Sequence, residues 1–241
     1  MFGPVFPTPY DLRFYVFGIP VRVHPLFWLL AGYLGYPTAN GLALRTSINV
    51  LVFLILWMLC VFVSILVHEL GHALVARRFG WPPEIVLYYM GGLAIYQPTR
   101  GQTPQRSIMI SAAGPAAGFA LWGVAWSCGQ LLPQLILQLQ LTQDAIQLIS
   151  YTLGSLLWIN LWWGLLNLLP VLPLDGGRIS QETCQLINRR QGFRWSLQIA
   201  ILTSGAAALY FLNDQRMFGG LLFGYLCFQN FQQLQAHQRG Y

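Results

Sequence analysis

The most constraining feature of this 241-residue sequence is the length of its stretches without an ionisable side chain. Six stretches hold 19 to 37 such residues, and a helix needs about 20 apolar residues to cross a bilayer. Only 8% of the residues are charged, too few to cover a soluble globule, while the high hydrophobicity excludes a disordered chain. We therefore expect an all-α integral membrane protein with six transmembrane helices, at 25–43, 47–76, 106–130, 147–168, 195–212 and 217–233.

The basic residues predict how these helices are oriented. All 13 are Arg, and an even number of spans places both chain ends, with eleven of the arginines, on one side. Because basic residues are enriched in cytoplasmic loops, we expect both termini in the cytoplasm. Residues 1–23 lack a signal-peptide pattern, and we expect a multi-pass protein of the bacterial inner membrane. No basic cluster is interleaved with aromatic residues, so nucleic-acid binding is not expected.

One insert departs from the helical pattern. Residues 84–97 are β-branched and aromatic around Gly91 and Gly92, and they are too short for a helical hairpin across the bilayer. We predict a small re-entrant β-hairpin there; a plain interfacial loop is the alternative. With no internal repeat and no low-complexity linker, residues 1–241 are expected to form a single transmembrane domain, with 1–23 and 234–241 as short tails.

The chemistry of the sequence is concentrated in the second predicted span, in His68-Glu69-Leu-Gly-His72. Residues four apart lie on one face of a helix, so the two imidazoles can share one Zn²⁺. Glu69 is offset by one residue and can serve as general base toward a water on the metal. A chance match or a purely structural histidine pair is the alternative. The 22 uncharged residues before His68 favour function, because ionisable groups at membrane depth are costly.

A hydrolytic zinc ion usually has three protein ligands and one open position. The extended pattern with a third histidine fails, because Val75 and Arg78 occupy its glycine and histidine positions. Asp175 is at the cytoplasmic end of the fourth predicted span, on the same side as His72, and spacing and topology make it the best third ligand. Its competitors have less suitable positions: Glu84, Asp144, Glu182 and Asp214.

Together these residues resemble the site-2 proteases, the intramembrane zinc metalloproteases of peptidase family M50. The resemblance rests on His68–His72 with the segment N-L-L-P-V-L-P-L-D-G at 167–176, supported by Gly91–Ala94 and Ala113–Pro115. It covers the core motifs between residues 24 and 178. It implies one Zn²⁺ per chain, with His68, His72 and Asp175 as ligands and Glu69 as the catalytic base.

The resemblance also implies the activity and the partners. Family members hydrolyse peptide bonds within or next to transmembrane segments, so we expect a membrane protein substrate and a lipid bilayer as partners. Many members carry an inserted PDZ domain or a C-terminal CBS pair. This chain has room for neither, and it resembles a minimal form. The sequence leaves the oligomeric state open.

Three further features have a physical interpretation. Asn167 could hydrogen-bond the scissile carbonyl or the oxyanion formed from it, or it could join two helices. Pro170 and Pro173 break the helix, which predicts that Asp175 reaches the site from non-helical chain, in a tight turn with the glycines that follow it. An exposed strand at Gly91, Gly92 and Leu93 could bind an unwound substrate by β-addition.

Two other classes of function stay open at this point. A metal-binding membrane protein, such as a transporter or an inactive relative, would bind zinc without hydrolysis, although the intact Glu69 argues against it. A scaffold protein in which these polar groups only join helices would bind no stoichiometric zinc.

Overall fold

The computed structural model describes residues 6–89, 91–98 and 101–239. This part of the chain is mostly helical and contains seven helices and four strands. In chain order they are β1 (Leu12–Val16), β2 (Ile19–Val23), α1 (Pro25–Ala43), α2 (Val50–Arg78), β3 (Pro83–Tyr88), β4 (Gly91–Tyr96), α3 (Pro104–Leu139), α4 (Gln143–Asn167), α5 (Asp175–Ile187), α6 (Gly192–Asn213) and α7 (Met217–Arg239).

Each of the six stretches without ionisable residues contains most of one long helix. α1 has the predicted bounds, and α3 extends nine residues beyond its predicted end at 130. Among the described residues, three helices are both long and apolar enough to cross a membrane: Val50–Arg78, Pro104–Leu139 and Gly192–Asn213. The prediction of membrane-spanning helices is therefore confirmed for these three, whereas six spans remain a prediction.

The short helix α5 was not predicted. Asp175 is its first residue, so the expectation that Asp175 lies in non-helical chain is wrong by one residue. The non-helical segment is 168–174, which follows α4 and contains the two prolines. Gly176 and Gly177 do not form a tight turn but belong to the first turn of α5. The reason is that Pro173 lies just before the helix. The residues that follow it all have a backbone N–H, so they can form the hydrogen bonds of α5.

The predicted β-hairpin at 84–97 is present as β3 and β4, which pair antiparallel. It belongs to a larger sheet with the strand order β1-β2-β3-β4, in which β2 and β3 are parallel. Residues 1–23 were expected to be a tail, and this was wrong for β1 and β2. Their hairpin turns at Phe17 and Gly18, both with positive φ, which suits the right-handed twist of the two strands. The alternation of buried Ile19, Val21 and Val23 is the sequence signal that was overlooked.

Residue contacts divide the chain into two compact units, and single-domain organisation stays a prediction. The N-terminal unit comprises the described residues up to 97 and residues 116–164; the C-terminal unit comprises 98–115 and 165–239. In the N-terminal unit, one face of the sheet packs on α1 and α2 through a buried apolar cluster: Ile19, Val21, Val23, Phe27, Ile65, Leu70, Ala73, Ile85 and Leu87. In the C-terminal unit, Val171 packs with Ala208 of α6 and with Phe223 and Leu226 of α7.

A polar network fixes the start of the sheet. The Asp11 carboxylate accepts hydrogen bonds from the Thr8 N–H at 3.0 Å, from the Thr8 hydroxyl at 2.6 Å and from Arg22 at 3.1 Å. Arg22 also lies 3.8 Å from a carboxylate oxygen of Glu84 on β3. Burial by itself would raise the pKa of Asp11, but the hydrogen bonds from Thr8 and the Arg22 guanidinium outweigh it and lower the pKa to about 2.

This lowered pKa predicts a pH-dependent contribution to stability. Because the folded value of about 2 is below the ordinary 3.8, ionised Asp11 stabilises the fold above about pH 3.8. The contribution is lost as the pH falls toward 2. We expect the melting temperature of the protein in detergent to exceed that of Asp11→Asn above about pH 4, and the difference to vanish near pH 2. A difference that is constant across this range would contradict the assignment.

Candidate metal centre

The histidine pair lies near the C-terminal end of α2. This helix is apolar along most of its length and is capped at its start by Asn49, whose side chain accepts a hydrogen bond from the Leu51 N–H at 2.9 Å. His68 and His72 lie one turn apart, and their Nε2 atoms are 3.2 Å apart. The rings are buried, at 2% and 6% exposure, and lie nearly perpendicular at 79°. The predicted shared face is therefore confirmed.

Glu69 joins this pair. Ligand atoms of His68, Glu69 and His72 all lie within 4.8 Å of one another, and all three side chains are buried, Glu69 at 5% exposure. A carboxylate and two imidazoles at this depth are costly to desolvate unless they bind a cation or one another. The three residues lie within five positions of α2, at 68, 69 and 72, so the helix by itself brings them together.

The spacing of the two imidazoles fits zinc. Two ligands of a tetrahedral ion with Zn–N bonds of about 2.0–2.1 Å lie about 3.3 Å apart, close to the observed 3.2 Å between the Nε2 atoms. Imidazole nitrogen is also a preferred donor for Zn²⁺. His68 and His72 therefore supply two ligands in suitable positions, with a carboxylate beside them.

A second layer of polar residues supports the histidine face, and the sequence analysis missed it. The Asn160 side chain of α4 donates hydrogen bonds to the Ser64 hydroxyl at 2.9 Å and to the Leu156 carbonyl at 2.8 Å. Ser64 lies one turn before His68, so Ser64, His68 and His72 form a continuous stripe on α2. Asn160 and Ser64 are 2% and 1% exposed. Their signal in the sequence is a small polar residue with apolar neighbours on both sides along the chain.

Strand β4 lies directly against the general-base candidate. A Cβ atom added at Gly92 would be 2.4 Å from Cγ and 2.5 Å from Oε1 of Glu69. A Cβ added at Gly91, where φ is +120°, would be 2.8 Å from the ring of Trp163. Trp163 in turn lies 6.5 Å from His68 between ring centroids. The glycine pair therefore allows the backbone of β4 to approach the site more closely than any side chain would permit.

Leu93 differs from the two glycines. It lies on β4 opposite Val86 of β3, and its side chain is 37% exposed. β4 is at the edge of the sheet, with β3 as its only strand neighbour among the described residues. The outer side of an edge strand presents backbone N–H and C=O groups, with which an extended peptide can pair. A role of Gly91, Gly92 and Leu93 in substrate binding remains a prediction.

The two other predicted site residues belong to the C-terminal unit. Asn167 is the last residue of α4, and Asp175 begins α5. The segment between them is tightly packed: a Cβ added at Gly176 would be 2.1 Å from the Leu168 carbonyl oxygen, and one at Gly177 would be 2.4 Å from the Val171 carbonyl carbon. The two glycines are therefore needed for the close approach of α5 to its own preceding loop.

The sequence of this chain matches the profile of Peptidase family M50 over residues 56–212, well over half of its length. The chain belongs to this peptidase family. A curated zinc metalloprotease of Synechocystis is 32% identical over 89% of the chain, and a zinc metalloprotease of Methanocaldococcus jannaschii is 31% identical over 84%. The stage IV sporulation protein FB of Bacillus subtilis is 28% identical over 67%.

A solved structure is also similar. The site-2 protease from Methanocaldococcus jannaschii aligns with 93% of this M50 chain and 95% of its own, with a TM-score of 0.53 and 28% identity. The chain thus has the site-2 protease fold. It spans about half the length of the curated relatives it matches, 57% of the Synechocystis protein and 53% of the archaeal one.

The close packing around α5 predicts the effect of a single methyl group. In Gly176→Ala the new Cβ would overlap a backbone carbonyl that cannot rotate away, so we expect a loss of about 1–3 kcal/mol in the free energy of unfolding. The matched control is Gly224→Ala in α7, where an added Cβ meets nothing within 4 Å. Alanine at that position should leave stability unchanged or raise it by up to about 1 kcal/mol. Denaturation in detergent measures both, and equal stabilities would contradict the packing argument.

Proposed function

We propose that this M50 protein is an intramembrane zinc metalloprotease that hydrolyses peptide bonds within or next to transmembrane segments of membrane proteins. The observation that carries the proposal is the buried triplet on α2, with the two Nε2 atoms 3.2 Å apart and the Glu69 carboxylate beside them. The names of the curated relatives support the same chemistry. Their greater length leaves the substrate and its selection as part of the proposal.

His68 and His72 would hold the zinc ion, with Asp175 as the third ligand. The assignment of Asp175 rests on its place in the N-L-L-P-V-L-P-L-D-G segment and on its carboxylate chemistry. Bound zinc supplies Lewis acidity, which lowers the pKa of water and polarises the scissile carbonyl. Three protein ligands leave one position open for that chemistry.

Glu69 performs the proton transfers. Its carboxylate takes a proton from the attacking water and later gives it to the departing amine, so that one group acts as base and then as acid. Burial at 5% exposure keeps bulk water away from this carboxylate. Asn167 would donate its amide N–H to the carbonyl oxygen on which negative charge develops.

Strand β4 would bind the substrate. A peptide bond inside a helix is shielded by its own hydrogen bonding, so the substrate must be extended before attack. The outer edge of β4 offers the backbone groups of Gly91, Gly92 and Leu93 for pairing with such a segment. The contact of Gly92 with Glu69 supports this, since a peptide paired with β4 would lie next to the general base.

The proposal includes the membrane arrangement. We infer six spans, adding α1, α4 and α7 to the three apolar helices, with both termini in the cytoplasm of a bacterial cell. Large side chains project outward from these three helices without covering protein: Tyr33 is 76% exposed, Trp158 57% and Leu221 67%. Such exposure suits contact with lipid.

Because Glu69 is proposed as the base and Asp175 as a zinc ligand, substitutions of these two residues should have different effects on zinc binding and cleavage. In purified protein in detergent, Glu69→Gln should retain stoichiometric zinc and lose at least about 100-fold in cleavage of a model transmembrane peptide. Asp175→Asn should weaken zinc binding by at least about tenfold and lose cleavage with it. Zinc content by metal analysis and peptide cleavage by mass spectrometry separate the two.

The outcomes also distinguish the rival functions. Zinc without hydrolysis in the unaltered protein would indicate a metal-binding protein, and absence of stoichiometric zinc would indicate a scaffold. Full activity of Glu69→Gln would contradict the mechanism.

The contact between β4 and Glu69 predicts that a substitution of Gly92 lowers the rate of cleavage. In Gly92→Ala the new Cβ displaces the Glu69 carboxylate, and a misplacement of about 1 Å can cost about 100-fold in rate. We expect cleavage to fall between about 10- and 100-fold while zinc is retained. Gly154→Ala in α4, where an added Cβ meets nothing within 4 Å, is the control and should cleave like the unaltered protein. Equal rates for the two variants would contradict the proposed role of Gly92.

A further inference from the structure

Asn230 of α7 is a wholly buried amide that no motif of the chain includes. Its exposure is 0%, and it lies beyond the residues that match the family profile, which end at 212. Burying an amide in apolar surroundings is costly unless its polar atoms are hydrogen-bonded. The burial of this amide must therefore be compensated by hydrogen bonds within the C-terminal unit.

The two donors of this amide are both used. Asn230 Nδ2 donates to the Leu226 carbonyl at 2.8 Å and to the Leu172 carbonyl at 2.8 Å. The first bond stays within α7, whereas the second joins α7 to the segment 168–174. Its Oδ1 atom accepts no hydrogen bond from the described residues. The side chain therefore acts as a hydrogen-bond donor, and its bond to the Leu172 carbonyl is the one that links two segments.

The segment that receives this bond has no regular structure to fix it. It runs from the end of α4 to the start of α5, and Val171 within it is fully buried against α6 and α7. The first turn of α5 presses on the same backbone, since a Cβ added at Gly177 would be 2.5 Å from the Leu172 nitrogen. Through this hydrogen bond, Asn230 of α7 fixes the segment 168–174, and α5 packs against the same segment.

We infer that Asn230 is a positioning residue for the metal centre: by binding the Leu172 carbonyl it fixes the loop that delivers Asp175. Asp175 follows Leu172 by three residues and begins α5, so the backbone position of the carboxylate is set by this loop. The inference rests on the proposed function, in which Asp175 is a zinc ligand. It assigns a role in metal binding to α7, outside the segments that carry the predicted site residues.

The test compares zinc affinity with stability. Asn230→Leu replaces the amide with an apolar group of similar size, so the packing volume is kept while the Leu172 carbonyl loses this donor. Asn230→Thr introduces a hydroxyl that can donate to the Leu226 carbonyl in place of the amide but is too short to reach Leu172. By competition with a chelating dye in detergent, we expect both variants of the full chain to bind Zn²⁺ about tenfold more weakly. Hydrogen exchange of the zinc-free protein should become faster in residues 168–178.

The control is Ser204→Ala in α6. Ser204 is also 0% exposed in the same unit, but its hydroxyl bonds the Ala200 carbonyl of its own helix at 2.6 Å. It should change neither zinc affinity nor exchange in 168–178. Unchanged zinc affinity in both Asn230 variants would overturn the inference and leave the proposed function standing if Asp175→Asn still weakens binding. Unchanged affinity in Asp175→Asn would overturn both.

Discussion

The structure depends on the burial of two imidazoles and a carboxylate near one end of an apolar helix. In such surroundings an uncompensated charge is strongly unfavourable, so the site requires a cation or closely matched polar partners. α2 meets part of this requirement by itself, because consecutive turns place His68, His72 and Ser64 on one stripe. Asn160 meets another part by bonding Ser64 from the neighbouring helix.

Close approach of backbone is the second recurring device. In the N-terminal unit Gly92 allows β4 to touch Glu69, and in the C-terminal unit Gly176 allows α5 to touch the loop before it. In both cases the neighbouring atoms occupy the space that a Cβ atom would need, so the glycines allow close packing rather than flexibility. Backbone is well suited to this task, since it has no rotamers and holds its partner at a fixed distance.

The sequence predicted the long helices well, because a run of uncharged residues is a strong and additive signal. It missed β1 and β2. In β2 the buried Val21 alternates with the partly buried Arg22, and a strand of five residues is too short for this pattern to stand out. α5 was missed because prolines and glycines suggest irregular chain unless the packing of Gly176 is known. At the site, His68, Glu69 and His72 were predictable because helix geometry alone brings them together. Asn160 and Asn230 were not, since each lies in a helix with other polar residues and acquires its meaning only from the carbonyl or hydroxyl it meets.

The parallel pairing of β2 with β3 has a mechanical consequence. It closes the α1–α2 hairpin at the sheet, where the His24 N–H donates to the Leu87 carbonyl and Arg77 donates to the Phe17 carbonyl. The end of α2 that carries the histidines is thus clamped, whereas its start at Val50 is far from any strand. A helix that is held at one end is displaced least at that end, so a sideways displacement of α2 near Val50 moves the two imidazoles much less.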